Sequence, residues 1–344
     1  MDQEQLANLL CKIPNGVFNL LYLGRRDRKD SQMLNAKLQF LCKIVEKQSI
    51  PIEQETIERT REQLEFLATA FGGDYVPLDY VEDFTIQGPG GTLPVRLYKP
   101  VDTDNPLPVL VYFHGGGFIR GSINSHDGVC RRLAKTGGFA VMSVEYRLAP
   151  ESVFPAAVDD AYAALRWAQE YGAEKGLDTT RVAVGGDSSG GNLATVAAQD
   201  AKRNNTPQPA IQMLIYPITD AHFSAESHKT FSSGYFLTSE RMNWYRDNYL
   251  TSSDDRDDPR ASPFLTEDLE GLAPTLIMTA GFDPLRDEGE EYAQKLKQAG
   301  VPVGVIRYEG MLHSFASMNG FIKEADEALK TAAEAVSTAF KGIQ

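Results

Sequence analysis

The sequence has few cysteines and no long apolar stretch. Only Cys11, Cys42 and Cys130 occur among 344 residues, and an odd number without CxxC spacing fits neither a disulfide framework nor a zinc site. No apolar run approaches the roughly 18 residues that a membrane-spanning helix needs. The first ten residues, MDQEQLANLL, lack the basic and apolar parts of a signal peptide. The sequence therefore predicts free thiols, no membrane partner and a cytoplasmic location.

Basic residues are also in short supply. Lysine and arginine number 34 against 47 acidic residues, a formal charge of −13. This field repels phosphate backbones, so we expect no nucleic-acid partner. Hydrophobic residues at 42% and charged residues at 24% are typical of a packed globular protein. The length fits one large domain or two small ones.

Two kinds of apolar spacing divide the chain. Residues 1–75 repeat apolar side chains every three or four positions, for example Met33, Leu34, Leu38, Leu41 and Ile44, which predicts helices. From residue 80 the pattern becomes β-rich, and runs at 81–87 and 93–98 flank a Gly-Pro-Gly-Gly turn. That arrangement predicts a hairpin.

Short apolar runs then alternate with helical patterns. Because the runs are nearly continuous and rich in β-branched residues, we expect strands buried on both faces, within a mainly parallel sheet flanked by helices. The predicted strands are 109–113, 140–144, 182–184, 213–216, 276–279 and 303–308, and the predicted helices are 156–171, 192–203, 286–298 and one after residue 325. Residues 220–260 contain aromatics but no strand pattern and predict a helical insertion. The α/β core is thus assigned to residues 76–219 and 261–344.

The segment Gly186-Asp187-Ser188-Ser189-Gly190 follows a predicted strand and opens a predicted helix. This is the G-x-S-x-G pattern in the context that a nucleophile elbow requires. Glycines two positions before and after the apex remove side chains that would clash in so sharp a turn. We therefore predict Ser188 as a nucleophile, although a glycine-rich turn without chemistry also fits the pentapeptide alone.

A second glycine segment, His114-Gly115-Gly116-Gly117, directly follows another predicted strand. Bare peptide units can point N–H groups at a developing oxyanion. We predict an oxyanion hole from the amides of Gly115, Gly116 and Ser189. A phosphate-binding loop is the rival interpretation, but the Gly-Lys-Ser/Thr ending of a P-loop is absent.

A serine nucleophile needs a histidine base and an acid that orients it. His313 and Asp283 each follow one of the last two predicted strands, and catalytic groups gather at the carboxyl ends of parallel strands. Asp287 fits better in the first turn of a helix, and His114 fits a structural role in its loop. The remaining three histidines lie in polar stretches where surface placement is expected: His126, His222 and His228.

Five motifs in this order resemble the hormone-sensitive-lipase-like α/β-hydrolases, the bacterial family IV carboxylesterases: HGGGF at 114–118, EYRLAPE at 145–151, GDSSG at 186–190, DPLRDEG at 283–289 and HSF at 313–315. The resemblance spans residue 81 to the C-terminus. It implies an α/β-hydrolase fold, the same triad and oxyanion hole, and a cap built from residues 1–75 and 220–260. By analogy it also implies a homodimer. The chain departs from the commonest family pattern at Ser189, usually alanine, and Ser314, frequently glycine. Polar residues Glu145, Tyr146 and Arg147 are expected to support the two glycine loops.

These residues predict a serine carboxylesterase that hydrolyses soluble short- to medium-chain esters without a metal or organic cofactor. We expect four aromatic residues of the insertion to contact the acyl chain: Phe231, Tyr235, Phe236 and Trp244. Two alternatives stay open. The same triad can hydrolyse amides, formamides or carbamates, and some relatives that have lost the histidine bind a small hormone without hydrolysis.

Overall fold

A computed structural model describes residues 3–343, with the backbone alone for residues 3–6 and 8. The predicted N- and C-terminal segments therefore include residues 1, 2 and 344, which lie outside the described part. The strands are β1 Arg28–Lys29, β2 Gln32–Met33, β3 Tyr80–Gly88, β4 Gly91–Lys99, β5 Leu107–Phe113, β6 Ala140–Val144, β7 Leu177–Asp187, β8 Gln212–Ile215, β9 Thr275–Phe282 and β10 Val303–Leu312. The helices are α1 Gln3–Lys12, α2 Asn15–Leu21, α3 Ala36–Gln48, α4 Ile57–Phe71, α5 Asp127–Gly137, α6 Ala156–Glu170, α7 Ser189–Arg203, α8 Glu226–Thr230, α9 Ser239–Tyr249, α10 Arg286–Gln298 and α11 Lys323–Lys341.

Eight strands form one mostly parallel sheet in the order β10-β9-β8-β7-β5-β6-β4-β3. The hairpin β3–β4 supplies the antiparallel edge, and β6 and the strands beyond it pair in parallel. This confirms the predicted α/β class. Most predicted runs fall inside longer strands because pairing extends beyond the apolar residues; in β7, for example, Leu177 pairs with Leu107. The run 140–144 coincides with β6, and the run 213–216 is shifted by one residue from β8.

Both faces of the sheet are covered. Along β5, Val109, Val111 and Phe113 point into the core beneath α6, α7 and α10, while Leu110 and Tyr112 point into the core beneath α5 and α11. Apolar residues of α1–α3 join the second core. This two-sided burial explains why the central strands read as continuous apolar runs.

Two expectations about helices need correction. Met33 lies in β2 and Leu34 follows it, so neither is in a helix, and the helical repeat begins at Ala36. Helix α5 was not predicted, although Val129, Cys130 and Leu133 bury one of its faces. Its position matters for the site, because its N-cap residue is His126.

Candidate active site

Ser188 lies at the junction of β7 and α7 with a positive φ of 56°. Non-glycine residues rarely adopt this conformation, and they do so mainly where the surrounding structure enforces it. A β-carbon on Gly186 or Gly190 would collide with the carbonyl of Phe113 on β5. The two glycines therefore let β5 and the turn approach each other, and the strained turn presents the Ser188 hydroxyl.

The structure brings Ser188, His313 and Asp283 together although 125 and 30 residues separate them along the chain. The Asp283 carboxylate accepts a hydrogen bond from His313 Nδ1 at 2.8 Å, and His313 Nε2 lies 2.9 Å from Ser188 Oγ. Because a carboxylate can only accept, Nδ1 carries the proton and Nε2 is free to accept from the serine hydroxyl. All three side chains are buried. The arrangement can withdraw a proton from Ser188.

Asp287, the other acid considered as the partner of His313, does not contact that histidine. Asp287 is in the first turn of α10, where its carboxylate accepts from Arg286 Nε at 2.7 Å. Asp283 is fully buried, and its second oxygen accepts from the amide of Leu285 at 2.9 Å. That bond fixes the orientation of the carboxylate toward His313.

In the glycine loop after β5, one of the two predicted oxyanion donors is already hydrogen-bonded within the protein. The amide of Gly115 donates to Asp187 Oδ1 at 2.9 Å, so it is not free for an oxyanion. The amide of Gly117 donates to the Ser189 hydroxyl at 3.0 Å. Gly116 adopts a φ of 140°, which turns the peptide units on its two sides in different directions. Assigning Gly115 as an oxyanion donor was wrong, whereas Gly116 and Ser189 remain predicted donors.

A buried polar network holds this loop. Asp187 accepts from Tyr112 Oη at 2.7 Å as well as from Gly115, and His126 Nε2 lies 3.3 Å from the same carboxylate. The Tyr146 hydroxyl donates to the His114 carbonyl at 2.7 Å, and the two rings stack at 4.2 Å. The network ties the residue before Ser188 to the glycine loop opposite it.

The buried groups of this network shift one another's pKa values. Burial opposes the charge of His126, yet the Asp187 carboxylate raises the pKa of His126 above its ordinary value. Burial would raise the pKa of Asp187, but the charge of His126 and the hydrogen bonds of His126, Tyr112 and Gly115 lower it. Burial, together with the nearby charge of His126, lowers the pKa of His114 to about 3. His114 is therefore neutral at pH 7, consistent with the expected structural role.

Comparison with known proteins agrees with this geometry. Residues 110–317 match a family described as an alpha/beta hydrolase fold. The carboxylic ester hydrolase LipN of Mycobacterium tuberculosis is 40% identical over 322 residues, which cover 91% of this chain and 85% of that protein. An ethyl acetate hydrolase of Pseudomonas putida is 41% identical over 83% of this chain and 92% of its own length.

The chain belongs to the hormone-sensitive-lipase-like α/β-hydrolases. A solved structure of a hyperthermophilic esterase from the archaeon Pyrobaculum calidifontis superposes with a TM-score of 0.85 at 38% identity, covering 90% of this chain and 99% of that one. The chain is therefore a serine carboxylesterase, a carboxylic ester hydrolase in enzyme class. Within residues 3–343 no helix is both long and apolar enough to span a bilayer.

A mostly apolar cavity opens onto Ser188 and His313 in this α/β-hydrolase. Its wall combines residues of the core with residues of α4 and the 220–260 segment. The apolar lining residues are Leu64, Phe118, Ile218, Phe223, Leu237, Met242, Tyr245, Tyr249, Leu250 and Leu285.

The four aromatic residues predicted to contact the acyl chain do not line this cavity. Phe231 and Tyr235 are buried against Phe282 at the end of β9, with ring centroids 5.6 Å apart in both pairs. Phe236 packs against the same core, and Trp244 packs against Tyr245. The prediction was wrong because the first three aromatics help to attach the insertion to the sheet, while Trp244 lies outside the cavity wall. Sequence reasoning missed Leu237 and Met242, their neighbours in the chain.

Two histidines expected at the surface are buried. His126 belongs to the network around Asp187, and His228 Nε2 lies 2.5 Å from Glu288 Oε2. Each partner is about 60 residues away in the chain, so the local polar context gave no signal of the contact. His222 is more exposed and lies beside Asp220, as its sequence context suggests.

The pair His126–Asp187 predicts a pH-dependent stability. A histidine whose folded pKa is raised stabilises the fold below its unfolded pKa of about 6.5, and this contribution is lost as pH rises through the folded value. His126→Gln is therefore expected to lower the free energy of unfolding more at pH 6 than at pH 9, measured by urea denaturation of both proteins. An equal loss at the two pH values would contradict the charged pair.

Proposed function

We propose that this carboxylesterase hydrolyses short- to medium-chain esters through an acyl-enzyme on Ser188. The observation that carries the proposal is the hydrogen-bonded series from Ser188 Oγ through His313 to Asp283, at 2.9 and 2.8 Å, at the wall of an apolar cavity. Nucleophile, base and orienting acid are each within hydrogen-bond distance of the next, as this chemistry requires.

In the first half-reaction, His313 takes the Ser188 proton as Oγ attacks the ester carbonyl. The carbonyl oxygen becomes an oxyanion, and the amides of Gly116 and Ser189 donate to it. In the part of the chain that the structure describes, neither amide donates to a backbone carbonyl or to a described side chain. When the tetrahedral intermediate collapses, the bond to the alcohol oxygen breaks and His313 returns the proton to the departing alcohol.

In the second half-reaction, water loses a proton to His313 and attacks the acyl carbonyl. The intermediate collapses with release of the carboxylic acid, and His313 returns the proton to Ser188. Asp283 stays ionised throughout and stabilises the imidazolium that forms in each half.

The cavity supports a preference for short to medium acyl chains. Its apolar lining favours the burial of acyl methylenes, and one relative is named an ethyl acetate hydrolase. The test is initial-rate hydrolysis of p-nitrophenyl acetate, butyrate, octanoate and palmitate beside butyryl p-nitroanilide. We expect the highest kcat/KM on the esters of two to eight carbons. A faster rate on the anilide would instead favour amide hydrolysis.

Substitutions at Met242 and Trp244 distinguish a residue that lines the cavity from one that packs outside it. Met242→Ala enlarges the cavity, so we expect the ratio of kcat/KM for octanoate to butyrate to rise about fourfold, since a buried methylene contributes roughly 0.8 kcal/mol. Trp244→Ala, the matched control on the same helix, should leave the ratio unchanged. The measurement is the ester series on both variants, with thermal unfolding confirming that each is folded. A shift in Trp244→Ala alone would contradict the assigned lining.

We also propose that residues 1–75 and 220–260 together form a cap on the α/β core. In support, Arg241 Nη2 donates to Glu55 Oε2 at 2.8 Å, and the hydroxyls of Thr60 and Tyr245 lie 3.4 Å apart. The contacts join the two segments beside the cavity. A cytoplasmic location and a homodimer are further proposals, testable by cell fractionation and by light scattering.

A further inference from the structure

An unusually exposed apolar surface lies at the end of α2. Leu20 and Leu23 are 73% and 75% exposed, and Leu21 and Val17 exceed 50%. Val17, Leu20 and Leu21 are spaced three and four residues apart, so they share one face of the helix, while Phe18 is buried on another. Single exposed leucines need no explanation, but a cluster of this kind marks an interaction surface.

Basic residues follow this cluster directly. Residues 24–33 contain Arg25, Arg26, Arg28 and Lys29 against two acids, in a chain whose formal charge is −13. Consecutive turns, from the amide of Leu23 to the Leu20 carbonyl and from the amide of Arg25 to the Tyr22 carbonyl, keep the basic segment beside the helix end.

Three of these four basic side chains are exposed. The Arg26 guanidinium donates to the Leu34 carbonyl, and the carboxylate of Asp30 is paired with Arg286 at 2.8 Å. Arg25, Arg28 and Lys29 are exposed and form no ion pair with any residue whose side chain the structure describes, namely residue 7 and residues 9–343. Here the leucine–basic patch denotes the following residues: Val17, Leu20, Leu21, Leu23, Arg25, Arg28 and Lys29.

We propose that the leucine–basic patch docks this hydrolase onto an anionic lipid surface. Leucine side chains enter the boundary between headgroups and acyl chains, and each lysine or arginine near an anionic headgroup layer adds attraction. The rest of the acidic protein is repelled by the same layer, so the patch also sets the orientation of the docked enzyme. This revises the expectation of no membrane partner without requiring a spanning helix.

A second copy of the chain fits the patch less well. In a twofold contact the same surface faces itself, which would bring the exposed cations of both protomers together. Like charges across an interface oppose association. An anionic lipid layer satisfies both the apolar and the basic residues.

The test is sedimentation of the full chain with vesicles of phosphatidylcholine alone or mixed with an equal amount of phosphatidylglycerol. We expect binding to the mixed vesicles that weakens about tenfold or more in Leu20→Ser/Leu23→Ser and in Arg25→Gln/Arg28→Gln/Lys29→Gln. Binding should also fall in about 1 M salt, where charges are screened within about 3 Å.

Control variants change exposed residues elsewhere on the surface. Val101→Ser/Tyr171→Ser removes exposed apolar side chains, and Lys135→Gln/Lys297→Gln/Lys341→Gln removes three charges. Both should bind as the wild type does. Hydrolysis of dissolved p-nitrophenyl butyrate should be unchanged in every variant, which reports folding and keeps this proposal separate from the catalytic one.

Three outcomes would overturn the proposal. The first is no binding of the wild type to the mixed vesicles, and the second is equal binding by patch and control variants. The third is a dimer that the leucine substitutions dissociate without any vesicle binding, which would assign the patch to a second copy.

Discussion

Ser188→Ala is expected to lower kcat for p-nitrophenyl butyrate by about 10⁴-fold or more, the range seen when a serine hydrolase loses its nucleophile. The substitution removes only the hydroxyl that lies 2.9 Å from His313 Nε2. Without it no acyl-enzyme forms, and the oxyanion donors can assist only direct attack by water. Fixed-time assays at high enzyme concentration measure the residual rate of ester hydrolysis.

The neighbouring serine provides the control. Ser189→Ala removes a hydroxyl that accepts from the Gly117 amide at 3.0 Å but keeps the Ser189 N–H. We expect its kcat to stay within about tenfold of the wild type, since a neutral hydrogen bond contributes about 1 kcal/mol. Comparable losses in the two variants, or an active Ser188→Ala enzyme, would contradict the assignment of the nucleophile.

Asp283→Asn is the second substitution with a large expected effect, a fall in kcat of about 10⁴-fold. The amide keeps the shape of the carboxylate but can donate to His313 Nδ1. That interaction favours the His313 tautomer with the proton on Nε2, and a protonated Nε2 cannot accept the hydroxyl proton of Ser188. The folded structure should be preserved, so the loss appears in kcat at unchanged thermal stability within a few degrees.

Asp287→Asn is the matched control for the orienting acid. Asp287 is four residues further along the chain and pairs with Arg286 at 2.7 Å, away from His313. We expect its kcat to stay within about fivefold of the wild type, because a partly exposed ion pair contributes at most about 1 kcal/mol. A larger loss in Asp287→Asn than in Asp283→Asn would reverse the assignment of the acid.

The sheet and the elbow could be predicted because their constraints are local. A strand buried on both faces must be apolar throughout, as β5 is, and a strand-to-helix turn that packs against a neighbouring strand needs glycine at Gly186 and Gly190. His313 and Asp283 could be assigned because parallel strands end at one edge of the sheet.

Other features depended on tertiary contacts that no local pattern carries. The partner of each amide in the glycine loop depends on residues far along the chain, and the Gly115 amide donates to Asp187 at 2.9 Å, so Gly115 was wrongly assigned as an oxyanion donor. His126 was expected at the surface because its carboxylate partner, Asp187, lies 61 residues away and at the elbow. Aromatics of the insertion were expected in the cavity because composition does not tell which face of the segment meets the sheet.

Helix α5 was not predicted although its pattern is local. Its buried residues Val129, Cys130, Leu133 and Ala134 have helical spacing, so the signal was in the sequence. The helix ends at Gly138 in the left-handed conformation that favours glycine. Because α5 begins directly after His126, recognising it would have placed that histidine near the sheet.

The central claim is a covalent acyl-enzyme on Ser188, and intact-protein mass spectrometry of acid-quenched reactions tests it most directly. Mixing the enzyme with p-nitrophenyl acetate and quenching early should add the mass of one acetyl group, located by peptide sequencing on Ser188 and absent from Ser188→Ala. A fluorophosphonate probe should label the same residue and block hydrolysis. Ester turnover with no adduct under either treatment, or an adduct on another residue, would contradict the account.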